Sequence, residues 1–140
     1  MQQLIPHLIL DNYRSEKFSG SFEAAGLFVD LSGFSKMTDM LSGYEQPGAE
    51  ALTEVMRATF EPLVEAVYSQ GGFVVGYMGD AFTAIFPEQQ NREPGVLRCL
   101  DAALKMQAYI RDHPQVETPF GQFPMSIKVG ISFGETSWKI

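Results

Sequence analysis

Residues 73–86 read FVVGYMGDAFTAIF. Two apolar runs, FVVGYM (73–78) and AFTAIF (81–86), are rich in residues that favour a pleated chain, and only Gly79-Asp80 parts them. A two-residue Gly-Asp link suits a tight hairpin turn, so the stretch predicts two antiparallel neighbours. Gly71-Gly72 stops whatever helix comes before, and PEQQNREPG (87–95) reads as a loop.

Upstream, Leu52, Val55, Met56, Phe60, Leu63, Val64 and Val67 recur at steps of three and four, marking an amphipathic helix over 47–70. Pro62 lies inside it and lacks the amide of a normal turn, which predicts a kink or break near Phe60 and Glu61. Before it, AAGLFVDLS (24–32) is a short apolar run bounded by turn residues, as a central strand would be, and Ser35 suits the N-cap of a helix over 36–43. Downstream, Val96, Leu97, Leu100, Ala103, Leu104, Gln107 and Ile110 mark a second amphipathic helix, closed near His113-Pro114. Residues 114–123 read as a loop, and MSIKVGISFG (125–134) alternates like a half-buried strand. At the front, residues 3–13 form a short helix or apolar arm, and RSEKFSGSFE (14–23) has the composition of a linker. This divides the chain into an arm and linker over 1–21 and a domain over 22–140. The Met residues 37, 40, 56, 78, 106 and 125 read as core filler.

The order strand, helices, strand, strand, helix, strand is that of an α+β, ferredoxin-like (βαββαβ) fold, an antiparallel sheet with helices on one face. A chain of 140 residues, 45% hydrophobic and 19% charged, with 11 Phe, is long and apolar enough for one packed domain rather than a disordered segment. Net charge is −7 and the ten Lys and Arg are scattered, so no basic stripe offers itself to nucleic acid or an anionic membrane. No apolar run approaches the roughly 18 residues of a bilayer span, and the start MQQLIPHLIL lacks a basic leader segment. Cys99, the one cysteine, rules out an internal disulfide and fits a reducing, cytoplasmic setting.

In this topology the first and third strands are central neighbours running antiparallel, so the end of one lies beside the start of the other. Asp30 closes the first strand and Asp80 opens the third; two carboxylates therefore meet at one end of the sheet, where they repel unless a cation sits between them. Mg²⁺ or Mn²⁺ suits such hard oxygen ligands and would keep positions open for waters and substrate phosphates. Ser32-Gly33-Phe34-Ser35 then turns straight into a helix, whose free amides can receive an anion, with Gly33 admitting close approach. Taken singly, Asp30 before Ser-Gly is a common turn or cap former and Gly79-Asp80 a plain hairpin turn; their meeting is what favours a metal site. The carboxylates of Asp11, Asp39, Glu54, Glu65, Asp101 and Asp112 fit solvated faces, and His7 and His113 have no partner at ligand spacing.

These segments resemble class III nucleotidyl cyclase catalytic domains. LFVDLSGFSKMTDML (27–41) is similar to their opening F-x-D-[IL]-x-G-F-[TS] segment, GGFVVGYMGDAFTAIFP (71–87) to their Gly-Gly, strand, G-D-A segment, and IKVGISFGE (127–135) to their R-I-G-I-x-x-G strand. The likeness covers about residues 22–136, and is greatest for the soluble, bicarbonate-responsive branch, where PGAEALTEVM (47–56) also fits. It implies that Asp30 and Asp80, with the backbone of Leu31, bind two divalent ions. It implies that Ser32, Gly33, Phe34, Ser35 and Gly79 lie along the triphosphate, and that ATP, before GTP, becomes cyclic AMP and pyrophosphate. It further implies a homo- or heterodimer with a second cyclase domain. Two positions depart from the family. Adenylyl cyclases of this class carry Lys, and guanylyl cyclases Glu, four residues before the second metal Asp, where this chain has Gly76. Family members also continue past the segment matching ISFGE to an Asn and an Arg of the site, whereas this sequence ends at Ile140. The chain alone is then expected to be inactive, because loss of one charge donor to the transition state costs on the order of 10³-fold. A cyclase-like regulatory or dimerisation module without turnover is the alternative. A diguanylate cyclase is disfavoured because GYMGDAF lacks paired acidic residues.

Overall fold

The computed structural model describes residues 6–140. Its elements are α1 (His7–Arg14), β1 (Ser19–Ser32), α2 (Phe34–Ser42), α3 (Glu45–Ser69), β2 (Phe73–Met78), β3 (Ala81–Pro87), α4 (Gly95–Asp112), β4 (Gln115–Thr118), β5 (Gly121–Pro124) and β6 (Ser126–Lys139). Four strands form a sheet in the order β2-β3-β1-β6, and every neighbouring pair in it is antiparallel. β1 and β3 are its centre, as the strand order predicted. A separate two-stranded sheet pairs β4 with β5.

Alternation along β1 sends Ala25, Leu27, Val29 and Leu31 to one face, where all are 2% exposed or less. There they meet Met37 and Leu41 of α2, Leu63 and Val67 of α3, and Cys99 and Met106 of α4, all in one core. The opposite face is open: Phe28 is 41% exposed, although it sits mid-strand in a central strand. The fold is thus the α+β, ferredoxin-like arrangement, with its helices on one side.

Several local expectations are corrected. Residues 19–23, which look like linker by composition, are strand, because SGSFE pairs with Glu135–Lys139 of β6, a partner far away in sequence. Gly33, not Ser35, is the N-cap of α2, and the helix starts at Phe34. Residues 114–123 are largely the β4–β5 hairpin rather than a loop. Helix α3 runs unbroken through Pro62; the carbonyl that Pro62 leaves without its donor belongs to Ala58, which is exposed and open to water, while Thr59, Phe60, Leu63 and Val64 around it are buried. Met37, Met106 and Met125 do fill the core, but Met40 and Met78 are 50% and 57% exposed. The expected helix or arm from residue 3 is a helix from His7; residues 3–5 lie outside the described residues.

Arg98 is a charged side chain inside the fold, 3% exposed. It donates to the carbonyls of Glu93 and Gln70, each at 3.0 Å, and to that of Pro87, tying the end of α3 to the end of β3.

Candidate metal and phosphate site

In the β1–β3 ladder Asp30 faces Ala81, the residue after Asp80, and the Leu31 amide donates to the Asp80 carbonyl at 2.9 Å. Asp80 follows Gly79, whose φ of +62° makes the turn. The two aspartates therefore occupy one end of the two central strands. Asp30 shares the open face with Gly26 and Phe28, since Leu31 and Val29 point into the core. Both carboxylates are half-buried, and neither takes part in an ion pair among the described residues. No group of three or more His, Cys, Asp or Glu suited to a metal occurs among the described residues. The chemistry of the donors is that of a hard, oxygen-seeking divalent ion that keeps most of its positions for water and ligand oxygens. The Leu31 side chain is 2% exposed, in the core, so its donor would be the backbone carbonyl.

Directly after Asp30 the chain turns at Gly33, with φ +100° and ψ −11°, and no side chain caps α2. The first backbone bond of the helix runs from the Met37 amide to the Gly33 carbonyl at 3.4 Å. The amides of Phe34, Ser35 and Lys36 precede it and have no intrahelical partner, the kind of helix end that can receive an anion. Gly33 is required twice over. Its φ disfavours any side chain, and a Cβ there would come within 2.3 Å of the Pro124 carbonyl oxygen.

Gly76 lies on the open face opposite Thr83, beside a register shift between Val74 and Gly76. A Cβ at Gly76 meets nothing within 4 Å, so a long side chain has room and its absence is not imposed by packing. Along the same face, Gly26, Phe28, Thr83, Ile85, Gly130 and Ser132 line a groove of about 520 Å³. One further residue escaped the sequence reading: Lys128 of β6 is the register partner of Asp30. A basic residue on a strand is unremarkable in sequence, and only the pairing of β1 with β6 brings it beside a carboxylate.

Other reactive groups stand apart. Cys99 is fully buried under Gly26, and burial pushes its thiol up to about 11, so it is protonated at neutral pH and no nucleophile. His113 stacks on Tyr109, and Asp11, Asp39, Glu54, Glu65, Asp101 and Asp112 are exposed. A larger cavity of about 650 Å³ lies behind the Gly79 turn, floored by Met56, Phe60, Val64 and Tyr77; its Arg57 is held by Glu54 at 2.7 Å and Glu61 at 3.4 Å.

A central antiparallel pair with a helix-bearing face and a bare one is the frame of a nucleotidyl cyclase domain. Residues 20–140 match the adenylate and guanylate cyclase catalytic domain family, and the chain belongs to it. Among characterised proteins it is 27% identical over 139 residues to human (Homo sapiens) adenylate cyclase type 10, matching 95% of this chain but 8% of that protein. Among solved structures it resembles the adenylyl cyclase CyaB from P. aeruginosa, with TM-score 0.67 and 17% identity, over 85% of this chain and 59% of that one. It also resembles the non-canonical dimeric guanylyl cyclase domain of RhoGC from the aquatic fungus Blastocladiella emersonii, with TM-score 0.66 and 14% identity, over 86% and 62%. These structural likenesses speak for the fold, and they include enzymes of both purine types. No helix among the described residues is long and apolar enough to cross a membrane.

Proposed function

We propose that the chain supplies the metal- and triphosphate-binding part of a nucleotidyl cyclase site, in a protein that converts ATP to cyclic AMP and pyrophosphate. On this reading the cyclase unit expected over residues 22–140 also takes in the start of β1 from Ser19, the residues before it are its arm and linker, and the setting is cytoplasmic. The observation that carries it is the register that puts Asp30 opposite Ala81 and ties Leu31 to Asp80. Asp30, Asp80 and the Leu31 carbonyl hold two Mg²⁺ or Mn²⁺ ions. Such ions, when bound, activate the attacking ribose hydroxyl and neutralise the phosphates. The protein's own part is positional and electrostatic. Backbone amides around Ser32, Gly33, Phe34, Ser35 and Gly79 orient the triphosphate, and Lys128 adds a positive charge beside Asp30. A second cyclase domain, identical or not, covers the open face and supplies the base-selecting side chain that Gly76 lacks, so the chain alone is inactive on this account.

The test is calorimetric titration with a non-cyclisable ATP analogue and Mn²⁺. Wild type binds in the presence of the metal, and Asp30→Ala or Asp80→Ala abolishes most of the affinity; equal binding by wild type and both variants would sink the site. Gly76 favours a second reading, a cyclase-like regulatory or dimerisation module without turnover, because the position for base selection is bare despite having room for a side chain. Pairing the chain with a second, intact cyclase domain separates the two. Cyclic nucleotide that appears with wild type and vanishes with Asp30→Ala supports turnover, and its absence despite complex formation supports the module.

A further inference from the structure

The β4–β5 hairpin lies along α2. Gly33, Lys36 and Met40, three successive positions on one face of that helix, look across a gap of about 180 Å³ at Phe120, Gln122 and Phe123. At the front end the Pro124 carbonyl abuts Gly33. At the rear the Phe120 ring stacks on Tyr44, in the link between α2 and α3, with centroids 4.1 Å apart and planes 26° from parallel.

The hairpin is itself firmly built. Phe123 and Met125 are 4% and 5% exposed in the core, and the Met125 amide donates to the Pro114 carbonyl at 3.0 Å, closing the base. At the tip the Thr118 hydroxyl donates to the Gly121 carbonyl at 2.9 Å and accepts from the Phe120 amide at 3.1 Å. Phe120 is thus presented in one orientation. α2, by contrast, is short, has no side-chain cap, and buries one stripe, Phe34, Met37 and Leu41. A helix of that length does not hold its own shape in water. The hairpin meets it at its two ends, at Gly33 and at Tyr44, while Lys36 and Met40 between them stay exposed.

We propose that the β4–β5 hairpin positions the amides of Phe34, Ser35 and Lys36, with Phe120 as the positioning residue acting through Tyr44 and Pro124 acting directly on Gly33. This deepens the reading of that turn as the triphosphate cradle and rests on it for the nature of the ligand. By linkage, an anion that orders the cradle must also order the hairpin.

The test is amide hydrogen exchange on the full chain. In Phe120→Ala, exchange at residues 37–42, the hydrogen-bonded amides of α2, speeds up by about 2- to 12-fold, the worth of one aromatic pair, while the amides of β1 and β3 keep their rates. Phe120→Tyr, which keeps the ring, restores wild-type exchange. Tyr44→Ala removes the same stack from a residue 49% exposed, and serves if Phe120→Ala folds poorly; the two changes combined are less than additive. With Mn²⁺ and the ATP analogue, wild type slows exchange at residues 119–123, and Phe120→Ala binds more weakly by the same factor. Unchanged exchange at 37–42 in both variants, or equal acceleration across the whole sheet, overturns the positioning role. Local acceleration in Phe120→Ala, together with a wild type that binds no nucleotide, supports the positioning role and rejects the triphosphate reading alone.

Discussion

Gly33 carries two demands that no other residue meets, a left-handed backbone and contact with the Pro124 carbonyl. Gly33→Ala therefore costs at least about 2 kcal/mol in urea unfolding, from backbone strain alone before the clash is added. Gly76 is the opposite case: the space around it is empty, so Gly76→Lys should change stability by no more than about 1 kcal/mol. Similar costs at the two positions would mean that the turn at Gly33 is not as close to the hairpin as described. Arg98 is the other residue whose replacement is severe. Its guanidinium serves the carbonyls of Glu93, Gln70 and Pro87 at once, and burial lowers its pKa because the charge is kept from water. Arg98→Met strands those acceptors and is expected to lower unfolding stability by on the order of 3 kcal/mol. Arg98→Lys recovers only part of this, since one ammonium cannot reproduce the planar fork. A Met variant as stable as wild type would show that water replaces the guanidinium without loss.

Helix α3 shows how tertiary packing overrides a local breaker. Pro62 keeps its place because the orphaned Ala58 carbonyl is on the exposed side and the flanking stripe, from Val55 to Val67, is buried. The cost of the proline is masked rather than removed. Pro62→Ala restores the amide, so the urea midpoint should rise, by the equivalent of about 1 kcal/mol or more against the roughly 3 kcal/mol penalty of an interior proline; a fall would mean that the ring packs against the core better than a methyl does. The same contrast explains which elements could be read from sequence. β2 and β3 were legible because two apolar runs flank Gly79-Asp80, so a local signal fixes both strands and turn. β4 and β5 were not: QVET and GQFP are four residues each, contain little apolar alternation, and are held by Phe123 in a core that composition does not reveal. That Asp30 and Asp80 lie at one end of the two central strands needed only strand order and was legible. The place of Lys128 needed the β1–β6 register, which pairs residues about a hundred apart in sequence, and was not.

At the scale of the whole molecule, the two sides of the sheet end differently. β6 runs for 14 residues with continuous pairing to β1, and its outer edge has no strand partner among the described residues. It carries no proline or bulge to discourage further pairing. Ile131 and Phe133, on the helix side of this strand, are 39% and 53% exposed. The Gln107 side chain bonds to the Ile127 carbonyl and Cys99 lies under Gly26, which pairs with Ser132, so the first turns of α4 stand level with Ile131 and Phe133. Val96, Leu100 and Leu104 fall on the same flank of α4 as Gln107 or next to it, and are 40%, 43% and 59% exposed. Backbone donors and acceptors without partners thus run alongside a continuous apolar corner, a combination that invites strand addition. The chain by itself should therefore self-associate with rising concentration in sedimentation velocity. Phe133→Lys places a charge at that corner and should shift this edge-to-edge association at least tenfold in concentration, whereas Phe28→Lys, on the open face, should weaken only a dimer in which that face is covered. The reverse pattern would locate the self-contact on the face that carries Asp30, and a chain that stays monomeric would show that the corner's twist or charge already keeps a second strand away.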